Sequence, residues 1–139
     1  MAEPLNKIEI SAEAIAAMPV GFHGKFCMMV KGERHTWFIQ SLVKASDNLP
    51  VIEIELTELD KYLDENAWFH GDNKPTIRAL IQHYKRVDQV DLSFPIIMFP
   101  EIGILDGLHR VVKAHTLGHS TIKAVILDEL PKPDFIGDF

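Results

Sequence analysis

The chain has 139 residues and a mass of 15.7 kDa, with 47% hydrophobic and 24% charged residues, the size and balance of one globular domain with enough length to bury a core. Acidic residues outnumber basic ones 20 to 14, for a net charge of -6, which counts against a dedicated nucleic-acid binder, whose non-specific affinity comes from Lys and Arg. No apolar run reaches the roughly 18 residues of a membrane span. The opening MAEPLNKIEISAEAIAAMP lacks the basic-then-apolar order of a secretory leader, and the single Cys27 excludes an internal disulfide, so a cytoplasmic protein with no membrane partner is expected.

In chain order, SAEAIAAM reads as a short helix stopped by Pro19. VGFHGKFCMMVKGERHTWF is an apolar run broken by glycines, read as strand with loops, and its FCMMV surroundings mark Cys27 as a packed thiol. WFIQSLVKASDNLP spaces Trp37, Phe38, Leu42, Val43 and Ala45 close to a helical stripe, closed by Asn48 and Pro50. VIEIEL, from Val51 to Leu56, alternates as a strand with Ile52, Ile54 and Leu56 on one face and Glu53 and Glu55 on the other. TELDKYLDENAWF predicts a short helix or turn, and HGDNKP a loop. PTIRALIQHYKRVD predicts a helix starting near Pro75, with Ile77, Leu80, Ile81 and Tyr84 as its buried stripe and Arg78, Lys85 and Arg86 elsewhere. SFPIIMF and IGIL predict paired strands across a Pro100-Glu101 turn. A helix ended by Gly118 and a last strand, TIKAVIL, follow. The expected class is α+β: a small mixed sheet packed with helices over residues 51–139, closed by a short acidic tail, with residues 1–50 as a helical or irregular extension packed on that core.

The junction Asp106-Gly107-Leu108-His109-Arg110 carries more polar chemistry than a helix start requires. The first amides of a helix lack internal partners and sit at the positive end of its dipole. Gly107 lets a ligand approach the backbone, Arg110 offers a planar fork of donors, and His109 can donate or accept a proton. Together these residue types suit an anion, phosphate above all. An architectural reading uses the same residues: Asp106 as helix cap, Gly107 for a tight turn, and Arg110 paired with Glu53 or Glu55.

The segment FPIIMFPEIGILDGLHRVVKAHTLGHSTIKAVIL resembles the core signature of the ParB/sulfiredoxin superfamily: a Pro-Ile strand, a hairpin, a glycine-acid turn with arginine, an alanine-bearing helix, glycine and a closing strand. With Val51 to Leu56 matching the first strand, the resemblance covers over half the chain. It implies a ParB-like domain that binds nucleotide phosphates, of ATP or CTP with or without Mg²⁺, through Asp106, Gly107, His109 and Arg110. Leu108 stands where sulfiredoxins carry their catalytic cysteine, which excludes sulfinate repair. Chromosome-partition ParB proteins continue into a helix-turn-helix, for which the 12 residues after TIKAVIL leave no room, so a stand-alone domain is expected.

The resemblance leaves several activities open: NTP hydrolysis, small-molecule phosphoryl transfer, a nuclease or nucleic-acid-binding function at the same anion site, or a non-catalytic interaction module. Partners would be a nucleotide or other phosphorylated small molecule, with a homodimer left open. Phosphoryl transfer needs a carboxylate to position a nucleophile or metal. Of Glu58, Asp60, Asp64, Glu65 and Asp72, which follow the first strand, Asp60 is the expected catalytic acid beside His109. Lys74, Thr76 and Arg78, at the next helix start, are expected to add phosphate contacts. His115 and His119 have the spacing of paired metal ligands, but Gly118 interrupts the face between them, so no metal site is expected there. Trp68 and Phe69 beside His70 read as aromatics pinning a loop.

Overall fold

A computed structural model describes residues 24–65 and 75–137. The helix expected over SAEAIAAM, the aromatics of the 68–72 loop, Asp72 and Lys74 lie outside the described residues.

The first described strands are β1 (Lys25–Val30) and β2 (Glu33–Phe38), an antiparallel pair. Lys31 and Gly32 turn the chain with φ of 50° and 83°, the doubly positive geometry that matches the twist of a two-residue hairpin. Trp37 and Phe38, expected in a helix, instead close β2, and helix α1 (Ile39–Ser46) starts directly after them. Alternation along β1 leaves Cys27 on its exposed side, with its Sγ 3.4 Å from the buried Thr36 hydroxyl; the packed-thiol expectation is corrected. A run of apolar residues hides such a half-exposed strand, because FCMMV has no polar residue to mark its outer face.

Strand β3 (Ile52–Glu55) follows, then a 3-10 turn (Leu56–Leu59) and the five-residue helix α2 (Asp60–Asp64). Helix α3 (Ile77–Gln89), the hairpin β4 (Ile96–Phe99) and β5 (Gly103–Asp106), helix α4 (Leu108–Thr116) and strand β6 (Thr121–Ile126) complete the predicted order. The tail adds β7 (Phe135–Ile136). The protein is α+β, with two sheets ordered β1-β2-β7 and β3-β6-β4-β5. In the second, β6 runs parallel to β4 while the other neighbours are antiparallel.

Period-2 alternation gives this central sheet two apolar faces. Ile96, Ile122 and Ala124 meet Val111 and Ala114 of α4 and Leu56 and Leu59 of the 3-10 turn. Ile97, Leu105 and Leu127 meet Trp37, Ile39 and Leu42 on the opposite side. From Gly24 onward, therefore, the segment before Val51 supplies a hairpin, a helix and half of the second core.

Helix α3 departs most from expectation. Thr76 caps it by accepting from the Ala79 amide at 3.1 Å, as its position after Pro75 suggests. Yet Ile77, Leu80, Ile81 and Tyr84 are 78%, 49%, 49% and 71% exposed, so the stripe expected in the core faces outward. Ala79, His83 and Val87, roughly a third of a turn away at 3.6 residues per turn, face the protein instead. The cause is the layering: α3 packs chiefly against α4, and among the described residues none of its side chains joins the cluster on the sheet's first face.

The tail is bound by polar contacts. Helix α1 has no side-chain cap of its own, and Asp134 supplies the carboxylate: Oδ2 accepts the Phe38 amide and Oδ1 the Ser41 hydroxyl, both at 2.8 Å. Trp37 Nε1 donates to the Pro131 carbonyl at 2.7 Å. Hydrogen bonds to a buried charged acceptor contribute about 1.5–3 kcal/mol each. Asp134→Ala should therefore lower the unfolding free energy by about 3 kcal/mol in a urea titration, and Ser41→Ala by about half that. A loss below ~0.5 kcal/mol for Asp134→Ala would show that the tail does not anchor α1.

Candidate functional site at the β5–α4 junction

Strand β5 delivers the DGLHR motif through an irregularity. Ile97 pairs with Asp106 while the next residue, Met98, pairs with Ile104, so Leu105 is an extra residue on β5. Such a bulge re-aims the side chains that follow it. Leu105 turns into the second core, and Asp106 comes to lie over the start of α4.

There Asp106 does not cap the helix. The N-cap is Gly107, without a side-chain cap bond, and the Asp106 carboxylate instead accepts from Arg110 Nη2 at 2.6 Å, one helical turn on. Arg110 is 2% exposed. Its pairing with Glu53 or Glu55, the architectural alternative, is replaced by this shorter loop to Asp106. Burial pushes the Asp106 carboxyl above its ordinary pKa, partly offset by the charge and hydrogen bond of Arg110. Gly107, at φ 114°, is also explained from within: a Cβ would run into Ile96 and lie 3.1 Å from Arg110 Nη2. The space that a side chain at this position would take is filled by the protein itself. Leu108 packs against the first core. Of the five motif residues, Asp106, Gly107 and Arg110 thus form a structural unit held by their own contacts.

His109 remains. Its Nε2 lies 2.9 Å from Nδ1 of His83 on α3, one nitrogen donating its proton to the other. The ring planes differ by 13° and the centroids are 5.2 Å apart, the separation of two rings meeting nitrogen to nitrogen, end to end in nearly one plane. Burial lowers the His109 pKa to about 4, with further lowering by the nearby charges of His83, Arg86 and Arg110. His83 is lowered by burial and then by Arg86. The pair is therefore neutral at pH 7 in an electropositive setting. Around it, the Arg110 and Val111 amides already bond to the Gly107 carbonyl at 2.9 and 3.1 Å, so the first-turn amides ahead of them are the ones that helix geometry leaves for other acceptors.

His83 and Arg86 are the residues that sequence reasoning missed. Their signal is the i, i+3 spacing beside Ala79 on α3, which becomes legible only once the inward face of that helix is known. The remaining candidates do not join the site. Thr76 uses its hydroxyl as a cap, and Arg78 is exposed on the outer side of α3. Asp60 is exposed on α2 and shares no hydrogen bond or ion pair with the motif among the described residues. His115 and His119 are separated by a helix end in which Gly118 donates to the His115 carbonyl and His119 to the Ala114 carbonyl. Among the described residues, no group of three or more His, Cys, Asp or Glu could hold a metal ion, and no helix is long and apolar enough to cross a membrane.

Comparison with protein-family models, with curated proteins and with solved structures finds no match.

Two measurements follow from the site. A buried ion pair stripped of one member leaves an uncompensated charge, a loss of about 3–5 kcal/mol. Asp106→Asn, close in shape, should lose that much in denaturant titrations; a loss under ~1 kcal/mol would remove the pair from its structural role. The His109 pKa is depressed relative to the unfolded chain, so its contribution to stability is full above about pH 6.5 and declines as pH falls toward 4. Its size, discounted for partial exposure, is on the order of 1–2 kcal/mol. His109→Asn should flatten the stability profile in that window, and an unaltered slope would assign the titration elsewhere.

Proposed function

We propose that this chain contains a ParB/sulfiredoxin-like domain that binds a nucleotide, ATP or CTP, through its phosphates at the start of α4. The observation that carries the reading is the 2.9 Å contact of His109 with His83 beside that helix start, within the electrostatic reach of Arg86. The electrostatics support it. Arg86, Arg110 and His83 each disfavour a proton on His109, so a phosphate arriving there meets a positive potential and offsets the charges that keep the imidazole neutral. The order hairpin, DGLHR turn, helix and strand parallel to β4 accords with the superfamily pattern in the sequence.

In this reading the first-turn amides of α4 and the imidazole of His109 take phosphate oxygens, and Arg86 supplies the charge. Arg110 acts indirectly, by holding Asp106 and so the shape of the turn. Hydrolysis or phosphoryl transfer would need an acid, and Asp60 stays the nominal candidate only through the resemblance. No described carboxylate cluster fits Mg²⁺, so the metal would enter with the nucleotide's phosphates and is assigned no residue.

The test is titration calorimetry with ATP and CTP, with and without Mg²⁺. Arg86→Ala should weaken binding about tenfold or more, the scale of one charge-assisted contact. Affinity should also rise as pH falls from about 7.5 to 5.5, because a bound anion draws a proton onto the imidazole pair. No binding of either nucleotide, or affinity indifferent to both Arg86→Ala and pH, would overturn the proposal.

A further inference from the structure

The outward face of α3 is apolar where solvent contact calls for polarity. Ile77, Leu80, Ile81 and Tyr84 recur at i, i+3, i+4 and i+7, the spacing by which an amphipathic helix presents anchors to a groove or to a second helix. Scattered exposed apolar residues are ordinary on protein surfaces, but four in one row on a single helix form a contiguous patch. On the solvent side the row is flanked by Arg78 and Lys85, both exposed, one helical step outside Ile81, and the exposed Asp88 ends it one turn beyond Tyr84.

We propose that this face docks an acidic amphipathic helix of a partner protein, its apolar residues seated on the Ile77–Tyr84 row and its carboxylates against Arg78 and Lys85. The rim charges select that occupant. In a second copy of this chain, antiparallel pairing about the centre of the row brings like flanks together and sets arginine against lysine, and parallel pairing turns the Arg78–Lys85 flank toward the His83–Val87 flank, which already faces α4. An anionic membrane would suit two cations and an apolar row, but a chain of net charge -6 is repelled by such a surface at long range. A short acidic helix meets the two local cations without confronting the whole molecule. The surface is distinct from the proposed phosphate site: His83 and Arg86 lie on another side of α3, and the docking claim stands or falls without them.

The experiment uses fluorescence anisotropy with the full chain and a labelled helical peptide of about 18 residues, carrying leucines at the same spacing and glutamates on its flanks. Saturable binding is expected, weakened about tenfold or more by Ile81→Asp or, should that variant misfold by circular dichroism, by Tyr84→Ser. The double variant Arg78→Glu, Lys85→Glu should lose the glutamate-flanked peptide and gain a lysine-flanked one. Equal binding of a scrambled peptide of the same composition would overturn the proposal, as would indifference to the charge reversal. Two other occupants have their own readouts. Sedimentation that shows a concentration-dependent dimer abolished by Ile81→Asp would assign the row to a second copy. Stripe-dependent association with phosphatidylserine vesicles, in the absence of peptide binding, would assign it to a membrane.

Discussion

The ion pair between Asp106 and Arg110 is the constraint around which the centre of this protein is arranged. Removing both charges from water is expensive, and their attraction compensates only when the geometry is close and the remaining polar atoms are satisfied. Here the contact is 2.6 Å, and no described buried side-chain polar atom is left without a partner. Reaching that geometry requires the bulge that aims Asp106, the glycine whose side a Cβ would fill, and the helical turn that returns Arg110 to the strand end. The same turn directs α4 across the face of the sheet, where Val111 and Ala114 join Ile96 and Ile122. An interaction worth little as a net energy thus specifies an angle on which a whole core depends.

The position of α3 follows from α4 in turn. Lys113 donates to the carbonyls of Asp88 and Val90 at 2.9 and 2.8 Å, satisfying orphan groups at the C-terminal end of α3 and placing a cation where the dipole favours one. His83 meets His109 nearer the middle. Both tethers are polar and lie on the side of α3 that faces α4. Hydrophobic burial would have rotated the helix the other way, so these polar contacts, with Val87 as the buried apolar residue, set its orientation and leave the isoleucine row outside.

What the sequence revealed is what local physics decides. The alternation of VIEIEL gives β3, Thr76 after Pro75 starts α3, and Gly118 ends α4 in the left-handed conformation at φ 78°, because each depends only on adjacent residues. What it concealed depends on distant ones. A helical pattern tells which residues share a face but not which face meets the protein, and α3 inverted the expectation for that reason. The carboxylate that serves α1 comes from Asp134, 96 residues after Phe38, and nothing near α1 announces it. The motif itself was legible as unusual, while its division of labour was not. An aspartate before a helix reads as a cap, and only the packing of Ile96 against Gly107 shows that the turn closes on itself, with His109 paired to His83 beside it.

Net charge illustrates the same limit. A value of -6 describes the field felt far from the molecule, which salt screens within about 10 Å, whereas a ligand held at a helix start responds to the few groups beside it. Near His109 those groups are cationic or neutral, and the carboxylate at hand is already committed to Arg110. An acidic protein can therefore carry a local site for an anion. The burial that strips His109 of its proton also makes the first-turn amides count for more, since hydrogen bonds to an anion strengthen as water is excluded. Selectivity at such a junction would come from those fixed dipoles and from the charges beside His109, not from the chain's overall sign.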